Sequence, residues 1–316
     1  MATDYILFIH GVTTRRNREN PDYADKLFDL LEKSVEPPLK LEPVSLYWGD
    51  ANEKAEKNLL GDFQDSEVWN KLWFKDFRAN QLLQFVGDAA LYLSRHVGSQ
   101  VVDKLKEGAE EALGTVKSPK YKPGDRLHLV THSWGTVILF DILFAERWEN
   151  KEIPGHKNVM AIRQSLFGLP PNPATGIQLA SIHTLGSPIA LFSLISVNDS
   201  TYDFKPRLNE LLNNLHKRTG RKLPWLNFIH PGDPVAWPLE KLMWKLVDEQ
   251  AKYLDFKDVL THNADLSDFL VEPLSQTFLA LLHGGDAHGS HWDSKQVAQR
   301  ITQTIRETAK VAIANR

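Results

Sequence analysis

A serine, an aspartate and a group of histidines supply the side chains that nucleophilic catalysis needs. Ser133 lies in Arg126-Leu-His-Leu-Val-Thr-His-Ser-Trp-Gly-Thr136, where an apolar run closing at Val130 passes directly into the apolar helical text Val137-Ile-Leu-Phe140. That sequence places Ser133 on a very tight strand-to-helix turn, a nucleophile elbow. Such a turn pushes the hydroxyl clear of the backbone. The start of the helix offers N–H groups without intrahelical acceptors, and a positive dipole end, to a developing oxyanion. Strand and helix cross closely there, so small residues are needed two before and two after the nucleophile. Gly135 meets that need and Thr131 meets it only partly; the chain reads Thr-x-Ser-x-Gly where the usual pattern is Gly-x-Ser-x-Gly.

A serine is a poor nucleophile until a base takes its proton, and the base needs an acid to orient it. Asp233 is the first choice for that acid: it sits in Pro231-Gly-Asp-Pro-Val235, a rigid turn just past a strand. Asp199 and Asp203, after the preceding strand, are its rivals. The base is expected later in the chain, in Leu282-His-Gly-Gly-Asp-Ala-His-Gly-Ser-His-Trp292, a glycine-rich loop offering His283, His288 and His291. His132 and His10 read as packed, hydrogen-bonded neighbours of the site. His283, Asp286, His288, His291 and Asp293 have the side chains of a metal site but none of the recognised ligand spacings, so neither metal nor other cofactor is expected. Trp69, Trp73, Phe74 and Phe77 form an aromatic stripe that reads as helix core or as a cap over an acyl pocket, which makes Trp73, Phe74 and Phe77 the substrate-binding candidates. Arg15, Arg16 and Arg18 read as a solvated loop.

The elements that must position these residues alternate strand and helix. Tyr5-Ile-Leu-Phe-Ile9 is a short apolar run, as expected of a strand buried on both faces, and His10-Gly11 ends it. Helical spacing follows from Asp22 to Leu31. Pro43 to Trp48 alternates like a second strand, and the text from Glu53 to Val116 is predominantly helical. The elbow strand and its helix, running to about Trp148, come next. Further strands are expected at Ile177–Leu185 and Trp225–His230, and a helix candidate lies at Leu208–Leu215. A helix is expected from Leu239 to about Leu254. The stretch from Phe256 to His283 is ambiguous, with Asp258–His262 a candidate strand. Ser294 reads as the N-cap of a final helix carrying Val297, Ile301, Ile305 and Ala309. The expected fold is α/β, a mostly parallel sheet with helices on both faces. In such sheets sites gather at the carboxyl ends of the strands, and His10-Gly11, Ser133, Gly186-Ser187-Pro188 and Asp233 all fall there. A single domain is expected over 1–316, with candidate cap or lid insertions at about 53–116 and 149–176.

Composition narrows the function class. Of 316 residues 42% are hydrophobic and 24% charged, enough apolar material for a sizeable core. With 37 Lys and Arg against 40 Asp and Glu, the formal net charge of -3 gives no pull toward nucleic acid or anionic membrane. The absence of cysteine excludes disulfides, thiol nucleophiles and Cys-ligated metal sites. The N-terminus lacks a signal-peptide pattern, and the longest apolar runs fall short of the roughly 20 residues that span a bilayer, so a soluble, cytoplasmic protein is expected.

Taken together, the chain resembles the α/β-hydrolase superfamily, in particular its lipase- and esterase-like members. The matching pieces are Phe8-Ile-His-Gly11, Thr131-His-Ser-Trp-Gly135, Leu185-Gly-Ser-Pro188, Gly232-Asp-Pro-Val235 and Ala287-His-Gly-Ser-His-Trp292, in the order Ser, Asp, His that this superfamily uses. The resemblance implies Ser133 as nucleophile, Asp233 as acid and His288 as base, with His291 the alternative base. It implies an oxyanion hole made by the N–H groups of Val12 and Trp134. The expected activity is cleavage of a carboxylic ester, with a small-molecule ester or lipid as substrate, through an acyl-serine intermediate. Thioester cleavage or acyl transfer would use the same triad. A hydrolase-like fold that binds a ligand without catalysis is the competing class.

Overall fold

The structure, a computed structural model, describes residues 2–12, 14, 21–35, 39–51, 53–72, 75, 79, 83, 95–192, 204–261 and 287–314. Six strands form its main sheet: β1 (Thr3–Ile9), β2 (Lys40–Leu46), β3 (Arg126–His132), β4 (Gln178–Leu185), β5 (Leu223–Ile229) and β6 (Leu254–Leu260). They lie in the order β2-β1-β3-β4-β5-β6, and every neighbouring pair is parallel. The chain therefore steps outward from β1 to β2, returns to β3 on the other side of β1, and then proceeds in one direction to β6. The reversal between β1 and β3 is a topological switch point, where an open parallel sheet leaves a crevice beyond its strand ends.

The helices around it are α1 (Asp25–Ser34), α2 (Glu53–Gln64), α3 (Arg95–Leu113), α4 (Trp134–Phe144), α5 (His156–Gln164), α6 (Lys205–Thr219), α7 (Glu240–Leu246) and α8 (Lys295–Ala314). They cover both faces of the sheet, which is why the central strands are buried in both directions. In β1, Ile6 and Phe8 join Leu27 and Leu31 of α1 and Val297, Ile301 and Ile305 of α8 in one core. Leu7 and Ile9 join Val101, Val102 and Leu105 of α3, Ile138 and Phe140 of α4, and Leu208 and Leu211 of α6 in the other. All residues of α4 are buried, so the helix that carries the elbow is held on every side and its first turn is rigidly placed.

A buried polar chain runs through the middle of the sheet. Arg126 donates from Nε and Nη2 to the two Asp4 oxygens at 2.6 and 2.7 Å. His128 bonds Asp4 Oδ1 at 2.9 Å through Nε2 and Ser181 Oγ at 2.6 Å through Nδ1. Ser181 Oγ is 2.8 Å from His183 Nε2, and His183 Nδ1 is buried with no partner among the described residues. Burial would raise the Asp4 pKa, but the hydrogen bonds from His128 and Arg126 outweigh it and hold the carboxyl below its ordinary value.

Where element boundaries differ from the sequence expectation, single polar residues are responsible. The helix expected from Leu239 to about Leu254 is only α7, Glu240–Leu246. Asp248 accepts the backbone N–H groups of Lys252, Tyr253 and Leu254, and Ala251 takes a φ of 47°, so the chain turns there and β6 begins at Leu254. The elbow helix stops at Phe144, and Asp141 then binds Arg147 at 2.8 and 2.6 Å and Trp148 Nε1 at 3.0 Å, folding Glu146–Glu149 into a 3-10 turn. The stretch read as irregular after Trp148 contains α5, whose Val159 enters the core together with Leu166 and Leu169. The ambiguous region resolves into β6 at its start, and residues 262–286 lie outside the described ones.

Candidate active site

Ser133 follows β3 with φ 53° and ψ −131°. Among the described residues only Ser133 and Ala251 are non-glycine residues at positive φ. Such a conformation is strained and persists only where the surroundings fix it. Here the Ser133 N–H bonds Leu185 O at the end of β4 at 2.9 Å, and Ser133 O accepts the N–H of Thr136 at 3.0 Å. The departure from the usual elbow pattern has a local explanation: the hydroxyl of Thr131 is 2.8 Å from that of Thr136. Thr131, two residues before Ser133, is thus satisfied by a matching threonine on the first turn of α4.

Two glycines make the close approach possible. A Cβ on Gly135 would stand 2.3 Å from His10 O, and one on Gly11 would stand 2.5 Å from Ser133 Cβ. The loop after β1 therefore lies directly against the elbow. His10 is locked there from both sides: its Nε2 accepts the Trp48 N–H at 3.1 Å, its Nδ1 is 2.6 Å from Gly11 O, and its carbonyl accepts Trp48 Nε1–H at 3.0 Å. Its ring stacks on Trp48 at 5.2 Å with an interplanar angle of 4°. Val12 follows in the next turn. Trp134 is the first residue of α4, at the end where the helix dipole is positive.

Asp233 lies beyond β5 and is 4% exposed. Its Oδ1 accepts the Val235 N–H at 2.9 Å, and its own N–H bonds His230 O at 2.9 Å, so the Gly-Asp-Pro-Val turn fixes the carboxylate. Its Oδ2 accepts from His288 Nδ1 at 2.7 Å. A carboxylate only accepts, so the proton of this bond is on Nδ1, and in the neutral imidazole Nε2 carries the lone pair. His291 Nε2 stands 3.8 Å from the same oxygen, beyond hydrogen-bond reach. Burial alone would raise the Asp233 pKa; the His288 hydrogen bond and then the His291 interaction overcome it and hold the carboxyl far below its ordinary value.

His132 links the elbow to the histidine turn. Its Nε2 donates to the backbone carbonyl of His288 at 2.8 Å, with the two rings 4.6 Å apart and Trp292 at 5.3 Å. Burial, and then the neighbouring His288, push its pKa well below the ordinary histidine value, so it is a neutral donor. Gly186, at φ 55°, completes the cluster: a Cβ there would meet Asp233 Oδ2 at 2.7 Å and His288 Nδ1 at 3.0 Å. Ser133 Oγ and His288 Nε2 are both buried and have no hydrogen-bond partner among the described residues.

Ser133, Asp233, His288, Val12 and Trp134 are thus gathered at the strand ends beside the switch point, and His291 lies behind the aspartate. His132 and His10 are the packed, hydrogen-bonded neighbours expected of them, but the sequence did not show that their partners are the His288 carbonyl and Trp48. Trp73, Phe74, Phe77, Arg15, Arg16, Arg18, Asp199, Asp203, His283 and Asp286 lie outside the described residues. Among the described residues, no three His, Asp or Glu side chains are grouped to hold a metal ion, and no helix is long and apolar enough to cross a membrane.

No protein-family model matches the chain, and no curated protein sequence does. Among solved structures it is similar to a dienelactone hydrolase from Anabaena variabilis ATCC 29413, with TM-score 0.34 and 13% identity over 90% of this chain and 85% of that one. It is similar to an acetyl xylan esterase with TM-score 0.30 and 10% identity, over 91% and 96% of the two chains. A siderophore hydrolase from Aspergillus fumigatus overlaps 99% of this chain and 92% of its own, with TM-score 0.24 and 11% identity. These likenesses are too loose to bear on the assignment. By its own strand order the chain is an α/β fold, a parallel six-stranded sheet covered by helices on both faces, with a strained serine on the turn between β3 and α4.

Proposed function

We propose that the protein is a serine hydrolase that cleaves a carboxylic ester. The observation that carries this reading is the conjunction at one edge of the sheet of a strained serine and an aspartate-bound histidine. Both reacting atoms, Ser133 Oγ and His288 Nε2, are left without other partners among the described residues. In many apo active sites the bond between nucleophile and base is long and tightens only when substrate is bound.

His288 Nε2 takes the Ser133 hydroxyl proton as Oγ attacks the ester carbonyl carbon. The carbonyl π electrons move onto oxygen, and the N–H groups of Val12 and Trp134 receive that charge as it develops. Asp233 keeps the His288 proton on Nδ1 and stabilises the imidazolium. The tetrahedral species collapses, the alcohol leaves with the proton from Nε2, and Ser133 carries the acyl group. Water then repeats the sequence with the same base, releasing the acid. A thioester or an acyl-accepting alcohol would engage the same atoms.

The test is labelling with a fluorophosphonate probe, which reacts with an activated serine. The wild-type chain is expected to label and the Ser133→Ala variant to lose the label; a folded, unlabelled wild type would refute the reading.

A further inference from the structure

The strands that end at Ser133, Gly186 and Asp233 begin at the opposite edge of the sheet. A strand of this length sets those two edges about 20 Å apart. At the starting edge, where Arg126 opens β3, Gln178 opens β4 and Leu223 opens β5, lies a cavity of about 380 Å³. That volume is in the range of small-molecule sites. Its polar lining includes Arg126, Arg218, Arg221, Lys222 and Glu307, four cations against one carboxylate.

One of these cations is pre-organised. Arg126 is only 6% exposed, and Asp4 takes its Nε and Nη2 in a bidentate pair that fixes the guanidinium plane. Its Nη1 makes no hydrogen bond among the described residues, so one donor edge of a rigid, buried arginine remains at a cavity wall. Arg221, on the loop between α6 and β5, is half-buried beside it. Burial and then the charge of Arg126 hold its pKa below the ordinary arginine value, although it stays charged. Two guanidiniums held within each other's field favour an anion between them. Arg218 is pinned over the Phe167 ring at 4.1 Å, and Lys222 is exposed at the rim. Leu179, Leu215 and Leu223 form an apolar part of the wall, beside Gln178, Thr219 and Thr308.

We infer that this cavity is a second ligand site, separate from the candidate active site, that binds a small phosphomonoester with its phosphate on Arg126, Arg221 and Lys222 and its organic body against the leucines. Planar guanidinium forks match phosphate oxygens, and an apolar wall adds contact that a bare anion cannot use. The inference stands whether or not Ser133 is a nucleophile.

The test is calorimetric titration of the full chain with inorganic phosphate and with phenyl phosphate, at constant ionic strength in chloride. The expected result is saturable binding, tighter for phenyl phosphate, weakened at least about tenfold in Arg221→Gln/Lys222→Gln and unchanged in His288→Ala. Both substituted residues in the double variant are on a surface loop, and circular dichroism checks that it folds. Binding that survives the double substitution overturns the inference, as does binding lost in His288→Ala. No saturable binding, or phenyl phosphate binding no more tightly than inorganic phosphate, also overturns it.

Discussion

His132, the residue before the strained serine, holds the backbone of the histidine across from it: its Nε2 donates to the carbonyl oxygen of His288 at 2.8 Å. The elbow and the histidine turn are therefore tied by a bond that involves neither Ser133 Oγ nor His288 Nε2. Misplacing a catalytic group by about 1 Å costs on the order of 100-fold in rate. Ester hydrolysis by His132→Ala is accordingly expected to fall about 10- to 100-fold in kcat with the protein still folded. His132→Gln, whose amide reaches the position of Nε2, is expected to recover much of that loss. Wild-type rates in both variants would show that the clamp does not matter.

The aspartate distinguishes the two nearby histidines. His288 is bonded to Asp233 at 2.7 Å while His291 stands 3.8 Å away. Replacing the acid of a serine triad by its amide leaves the geometry but gives the base the wrong tautomer, at a cost of about 10⁴-fold in kcat. Asp233→Asn is expected to show a loss of that order, His288→Ala a comparable one, and His291→Ala less than about tenfold. Steady-state kinetics on one ester with all three variants decides; activity abolished by His291→Ala alone assigns the base to the other ring.

Gly135 and Gly61 differ in what surrounds them. A methyl group on Gly135 would press on His10 O at 2.3 Å, whereas one on Gly61, in α2, would meet nothing within 4 Å. Overpacking against backbone costs about 1–3 kcal/mol, and glycine in an open helix position is about 0.5–1 kcal/mol worse than alanine. Gly135→Ala is expected to destabilise by at least about 2 kcal/mol and to lose activity, because the carbonyl that must move belongs to the residue before Gly11. Gly61→Ala is expected to stabilise slightly. Urea unfolding of both variants measures the contrast.

Much of this site was legible because strand ends announce themselves. Each of β1, β3, β4 and β5 is a run rich in apolar residues that ends at a histidine, serine or glycine, which brings the residues at one edge of the sheet together. The elbow was readable for the same reason, and the contact that a Cβ on Gly135 would make with His10 O agrees with the demand for a small residue two after Ser133. Thr131 looked like a defect because its partner Thr136 lies across the turn, and a hydroxyl pair between strand and helix leaves no periodic signal. The choice between His288 and His291 could not be made from composition, since two histidines three residues apart differ only in which ring the turn aims at Asp233. The early end of α7 was hidden in Asp248, an ordinary helix-surface residue by type that here gathers three backbone N–H groups. Tertiary hydrogen bonds of this kind override local periodicity.

Two buried histidines give the fold a pH dependence of definite sign. Burial holds His132 and His183 well below the ordinary histidine pKa, whereas in the unfolded chain both titrate near 6.5. Above that value both states are neutral there and the stability is fully present. As pH falls below about 6.5 the unfolded chain takes up protons that the fold refuses, so stability falls by up to about 1.4 kcal/mol per pH unit for each histidine. The carboxyls of Asp4 and Asp233, also held low, act in the same direction but only below about pH 4, where unfolded carboxylates protonate. Urea unfolding at pH 7.5 and 5.5 therefore isolates the histidines. In His183→Gln the amide nitrogen still reaches Ser181 Oγ, which bonds His183 Nε2 at 2.8 Å, but the group no longer titrates. The loss of stability between the two pH values is expected to shrink by about half in that variant, and an unchanged loss would place the pH dependence elsewhere in the molecule.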